Sequence, residues 1–92
     1  MKISEGIFTN RALLEKIMKE FCTSLGLNES VLMDNPNYSI NPMDIDEYNC
    51  HLIMKDHGVI IGRVIFRKNN NMISYKILDC SDNVVFTAGP EF

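Results

Sequence analysis

The sequence predicts an α+β fold in which one N-terminal amphipathic helix packs on a four-stranded antiparallel β-meander. Leu13, Leu14, Ile17, Met18, Phe21, Cys22 and Leu25 keep the spacing of a single helical face. From Tyr48 to Phe86, four apolar-rich segments alternate along the chain and are separated by short turn-forming stretches. A chain of 92 residues supports one modest core but not two. Helix and meander are therefore expected to share that core as a single domain over residues 1–92. Its parts are a helix over about 10–25, an irregular acidic loop over about 28–47, a meander over about 48–88 and a short C-terminal tail.

Met1 to Phe8 is short and mixed, with Ile3, Ile7 and Phe8 able to pack against the body. Thr9 or Asn10 offers a side-chain oxygen to the open amides of the following helix. Arg11 with Glu15, Glu15 with Lys19 and Lys16 with Glu20 are spaced for pairing on its wet face. Gly26 suits a left-handed C-terminus, with Leu27 packing back on the last turn. Asn28 to Met33 is expected to add a short helical turn. Beyond it, the Asn-Pro steps at Asn35-Pro36 and Asn41-Pro42 favour turns over helix. An irregular stretch of this length is either functional or mobile. It ends in Asp44, Asp46 and Glu47, directly before the first strand.

In the meander, Asp56-His57-Gly58 reads as a three-residue hairpin loop closing through a left-handed glycine. Pairing outward sets Met54 against Ile60, Leu52 against Gly62, Cys50 against Val64 and Tyr48 against Phe66. With Lys68 to Asn71 as the second loop, Phe66 meets Ile73, Val64 meets Tyr75 and Gly62 meets Ile77. A turn around Ser81-Asp82-Asn83 brings Val84 and Phe86 to the same face. That face is nearly all apolar and belongs under the helix, with Gly62 leaving room for the helix to approach. The other carries Asn49, His51, Ile53, Lys55, Ile61, Arg63, Ile65, Arg67, Met72, Ser74, Lys76 and Leu78. In this register His51, Arg63 and Lys76 form one row. Like charges directly opposite one another repel. Either their aliphatic stems splay the charges into water or an acidic group docks among them.

The whole-chain charge of -3 and pI near 5.2 disfavour non-specific nucleic-acid binding. Distribution is more informative: residues 28–48 hold five acids and no base, whereas residues 49–76 hold five bases and one acid. Three cysteines, Cys22, Cys50 and Cys80, lie in or beside apolar segments without framework spacing, and are expected as buried free thiols. No apolar run approaches a membrane span, and Met1 to Thr9 lacks a signal-peptide core, so a cytoplasmic protein is expected.

No chemical motif survives inspection. Gly58 and Gly62 before Arg63 lack the Lys-Ser/Thr pair and helix of a phosphate-binding loop. Asp34, Asp44, Asp46 and Glu47 do not fall in the register of a calcium loop. Cys50, His51, His57 and Cys80 lack paired zinc spacing, and Cys50 and His51 point to opposite faces, which also opposes a thiol protease. Neither Gly-x-Ser-x-Gly nor His-Glu-x-x-His occurs. The helical stripe followed by Leu25-Gly26-Leu27 and strands resembles the amphipathic patterning of small secretion chaperones. The later strand order and the absence of a second long helix depart from that family, to which the chain is not assigned.

One helix covers one face of a sheet, so the other, aliphatic among cations, is left as a partner surface. The expected function is a small non-enzymatic protein-binding module, an inhibitor, adaptor or regulator, acting without a cofactor through this open face. Its contact residues are His51, Ile53, Ile61, Arg63, Ile65, Arg67 and Lys76, and its partner is another protein or a second copy in a homodimer. The alternative is nucleic-acid binding by the same face, disfavoured because Tyr48, Phe66 and Tyr75 are assigned to the covered side, away from any base. A small-ligand or catalytic site between loop and sheet lacks converging polar groups. Asp44, Asp46 and Glu47 are expected to form a regulatory loop able to fold over the basic row.

Overall fold

The structure, a computed structural model, describes residues 2–28, 38–40 and 47–92. Two helices, α1 (Ile3–Thr9) and α2 (Arg11–Leu25), precede five strands: β1 (Tyr38–Ile40), β2 (Asn49–Asp56), β3 (Val59–Asn69), β4 (Met72–Asp79) and β5 (Val84–Ala88). Every neighbouring pair is antiparallel, in the order β1-β2-β3-β4-β5. The expected α+β arrangement of N-terminal helix and antiparallel meander is present, the meander being β2 to β5. Two elements are additional. Ile3 and Ile7, one helical turn apart, place α1 on the core. Tyr38 to Ile40, expected as irregular, pairs with Met54 to Leu52 and makes the sheet five-stranded. Apart from Asn28, the helical turn expected up to Met33 lies outside the described residues.

α2 begins and ends as its sequence predicts. Asn10 is the cap, its side-chain oxygen accepting from the Leu13 amide at 3.1 Å. Gly26 closes the helix at φ 67°, and the Leu27 amide donates to the Cys22 carbonyl at 2.8 Å. Ile17, Phe21 and Cys22 are buried, and Leu13, Leu14, Met18, Leu25 and Leu27 pack around them. Arg11 and Glu15 pair at 3.3 Å on the wet face. Glu20 instead faces the sheet, where its carboxylate accepts from the Tyr75 hydroxyl.

The core lies between these helices and one sheet face, formed by Cys50, Leu52 and Met54 of β2, Val64 and Phe66 of β3, and Tyr75 and Ile77 of β4. At its centre Phe21 rests on Gly62. A Cβ on Gly62 would lie 2.7 Å from the Phe21 ring and 2.5 Å from the Leu78 carbonyl oxygen. The glycine is the clearance that lets α2 sit down on the sheet.

Away from the bulges the faces agree with the sequence reading, but the register does not. Asp56 pairs with Val59, so the first loop has two residues, His57 at φ 50° and Gly58 at φ 78°. Positive φ at both positions matches the twist of a tight hairpin. A bulge then follows: Lys55 pairs with Ile60 and Met54 with Gly62, leaving Ile61 as the extra residue. Cys50 therefore meets Phe66, and Leu52 meets Val64. The second loop is also two residues long, Asn70-Asn71, so Val64 meets Ile77 and Phe66 meets Tyr75. Both pairings differ from expectation by two residues, which preserves the faces of the side chains beyond the bulge; at the bulge itself Ile60, expected on the covered face, pairs with Lys55 and is exposed.

Three placements are corrected. Tyr48, assigned to the covered face, precedes β2 and is 56% exposed. A second bulge, between Ile77 and Leu78, sets Val84 opposite Leu78 rather than on the core face, while Phe86, opposite Ile77, packs against the core. Cys22 and Cys50 are buried free thiols, but Cys80 is exposed in the β4–β5 turn.

Two measurements test this packing. Gly62→Ala is expected to lower the unfolding free energy by about 2 kcal/mol through overpacking against Phe21; an unchanged denaturation midpoint would refute the close approach. Burial pushes the Cys50 thiol from its ordinary 9.0 up to about 11. The Tyr75 phenol is raised too, by burial first and then by its bond to Glu20 and the charge there. Both groups ionise earlier in the unfolded chain, so stability is complete below about pH 9 and falls as pH rises above it. Cys50→Ala is expected to remove on the order of 2 kcal/mol of the loss between about pH 9 and 11. Identical alkaline profiles for variant and parent would contradict this assignment.

Candidate functional site

The sheet face away from the core is built by the alternate residues of β2 to β5. The observed register breaks up the expected row of cations. His51 pairs with Ile65 and Ile65 with Lys76; Ile53 pairs with Arg63 and Arg63 with Leu78; Asn49 pairs with Arg67 and Arg67 with Ser74. Each cation thus has uncharged cross-strand neighbours, and the like-charge repulsion expected between His51, Arg63 and Lys76 is absent from these pairs. The result is a staggered surface of positive and aliphatic groups.

The contact residues named from sequence divide into three sets. His51, Ile53, Arg63 and Ile65 lie together, each half-buried, across β2 and β3. The Arg63 Nε lies 3.6 Å from Asp82 of the β4–β5 turn, an exposed pairing that typically contributes about 0–1 kcal/mol and is readily exchanged. Ile61, expected on the open face, is the bulge residue and packs against the core cluster. Arg67 and Lys76 are engaged by the chain itself.

That engagement comes from residues 89–92, expected only as a tail. Gly89 adopts φ 93°, a left-handed conformation that side chains other than glycine rarely take. It turns the chain off the end of β5 and presses against Ser74: a Cβ there would fall 2.8 Å from the Ser74 Cβ. The Glu91 amide then donates to the Ser74 hydroxyl oxygen at 3.3 Å, and the Glu91 carboxylate accepts from the Asn69 side-chain amide at 2.7 Å. The Phe92 ring centre lies 5.0 Å from the Arg67 guanidinium carbon and 4.8 Å from Lys76 Nζ. A ring quadrupole near a cation contributes roughly 0.5–1 kcal/mol at an exposed site. One corner of the face is thus covered, and Ser74 is fully buried.

Asp79 organises the turn that delivers Asp82. Its carboxylate accepts from the Asn83 and Ser81 amides, both at 2.9 Å, and from the Asn83 side chain at 3.3 Å. Those bonds, the Asn83 amide foremost, hold its ionisation below the usual carboxylate range. Of the expected regulatory acids, Asp44 and Asp46 lie outside the described residues. Glu47 is exposed, and its carbonyl accepts from the Ile3 amide at 3.2 Å, tying it to the start of α1.

Sequence reading missed Asn69, Glu91 and Phe92 as members of the site, and placed Ser74 on this face without a role. Gly89-Pro90 directly after a strand was the available signal, marking a turn with a special conformation at the glycine. Elsewhere, a shallow cavity of about 190 Å³ is lined by Lys2, Ile3, Gly6, Lys68, Asn71 and Ile73, a set with two lysines but no carboxylate, histidine, cysteine or hydroxyl side chain. Among the described residues, no three His, Cys, Asp or Glu side chains group to hold a metal ion, and no helix is long and apolar enough to cross a membrane.

Gly89→Val is expected to release the tail at a cost of about 1 kcal/mol. The ring-current shifts that Phe92 imposes on the Arg67 and Lys76 side-chain protons are expected to collapse toward random-coil values in that variant. Persistence of the full shifts in a proton NMR spectrum would show that Gly89 does not hold the tail in place. Comparison of the chain with protein-family models, curated proteins and solved structures gave no match.

Proposed function

We propose that this protein is a small non-enzymatic binding module whose open sheet face receives an acidic, aromatic-containing segment of a protein partner. One observation carries the reading: the face already holds such a group, with Glu91 on Asn69 and Ser74 and Phe92 beside Arg67 and Lys76. The neighbouring part of the face carries similar chemistry. His51 and Arg63 supply positive charge or donors, and Ile53 and Ile65 supply the apolar floor between them. Cationic groups set among aliphatic ones favour a carboxylate flanked by an aromatic side chain over a purely polar ligand.

Burial of Phe66 and Tyr75 on the helix side supports a protein rather than a nucleic-acid partner, since the aromatic on this face, Phe92, is already engaged by Arg67 and Lys76. Three free cysteines fit a reducing, cytoplasmic compartment. Self-association through the same face is the homotypic form of the proposal, and sedimentation of the purified protein reports it.

The experiment is selection of a displayed random peptide library on the immobilised protein, followed by Arg63→Glu. Enrichment of Asp or Glu beside Phe, Tyr or Trp is expected. Arg63→Glu is expected to weaken binding of the selected peptides at least tenfold, at an unchanged unfolding midpoint. Equal binding by the folded variant overturns the assignment.

A further inference from the structure

The segment at the covered corner is connected to the surface it covers, and that connection has a consequence for any external ligand. Residues 89–92 occupy Asn69, Ser74, Arg67 and Lys76 through a side-chain hydrogen bond, a backbone hydrogen bond and two cation–ring contacts. All four are local to the surface, and none reaches the hydrophobic core. The tail leaves β5 through one residue, Gly89, whose φ of 93° and packing on Ser74 set its direction. A ligand segment tethered this closely competes at a high effective concentration, on the order of millimolar for a short flexible link.

We infer that residues 90–92 are an intramolecular pseudo-ligand, which a partner segment of the same chemistry, an acidic residue adjoining an aromatic one, must displace to occupy the whole face. This rests on the reading of the open face as a protein-binding surface and adds to it the identity of the competitor. The partner docks first against His51, Ile53, Arg63 and Ile65. It then exchanges its own aromatic and carboxylate for Phe92 and Glu91 at Arg67, Lys76 and Asn69. Affinity for a partner is lowered by the fraction of time the tail is seated.

The probe is the hexapeptide Thr-Ala-Gly-Pro-Glu-Phe, carrying a fluorophore on its N-terminal amine and amidated at its C-terminus, titrated by fluorescence anisotropy. It is added to the parent chain and to the Glu91→Ala/Phe92→Ala double variant, both checked for the same unfolding midpoint. Binding at least tenfold tighter to the double variant is expected, together with loss of that binding when Lys76→Glu is added. If the double variant is poorly folded, Phe92→Ala alone serves, with at least a threefold gain expected. Equal binding to parent and variant overturns the competition while leaving the face as a recognition surface. Binding to neither also overturns it. The broader assignment is then decided separately by the Arg63→Glu comparison, because Arg63 lies outside the corner that the tail covers.

Discussion

Phe21 lies on the bare backbone of Gly62, and the layering of the molecule follows from that contact. β3 is the middle strand of five, so the helix that reaches it sits over the centre of the sheet. One residue earlier in α2, Glu20 accepts the Tyr75 hydroxyl on β4, which fixes the helix across two strands and gives a buried phenol its hydrogen-bond partner. Ile3 and Ile7 of α1 complete the same layer. Among the described residues, helical cover thus lies on one face. What happens on the other face must be settled by the strands and the chain beyond them.

The faces of the sheet were legible from alternation alone, whereas the pairing was not. Side chains in a strand repeat every two residues, so a shift of two leaves each on its original side. Both hairpins carry that shift: each loop is two residues long, and the first hairpin contains an added bulge at Ile61. Agreement between the two expected turns could not reveal the error, because the agreement concerned faces and was blind to even displacements. The functional consequence is nevertheless large. In the expected pairing His51, Arg63 and Lys76 stood abreast, which left either charges splayed into water or an acidic group docked among them. In the actual pairing Ile65 separates His51 from Lys76, and Ile53 and Leu78 flank Arg63. Charge repulsion is relieved within the sheet, and the case for a partner rests instead on a mixed surface and on what the chain places there.

Other features left little trace in the sequence for reasons of length. α1 has seven residues, too few for a helical period to stand out, although its two core isoleucines were identifiable. β1 has three residues and lies between Asn-Pro steps, which by themselves argue for turns; its pairing to β2 is a tertiary effect that local propensity does not encode. Cys80 was grouped with the buried thiols because it adjoins an apolar strand, but it falls one residue past Asp79, in the turn that Asp79 organises. The helix caps, by contrast, were fully legible. Asn10 and Gly26 act through bonds to neighbours one turn away, and such interactions are written in local sequence.

The tail illustrates the opposite limit, since four residues with no periodicity occupy the corner at Asn69, Ser74, Arg67 and Lys76. Their contacts are individually modest. Two cation–ring approaches and two hydrogen bonds together contribute on the order of a few kcal/mol, and ordering the three residues beyond Gly89 offsets most of it in backbone freedom, leaving roughly 1.4 kcal/mol to keep the segment seated about nine-tenths of the time. Opposing terms of similar size make occupancy of the corner sensitive to small changes in either. A contact locked by burial would have sealed the surface for good, and one with no contacts would have left an oily, charged face bare to solvent. Weak tethered cover meets both demands: it shields Ser74, and on the proposed reading it would yield to a segment that brings its own aromatic ring and carboxylate along with additional contacts at Arg63 and Ile65.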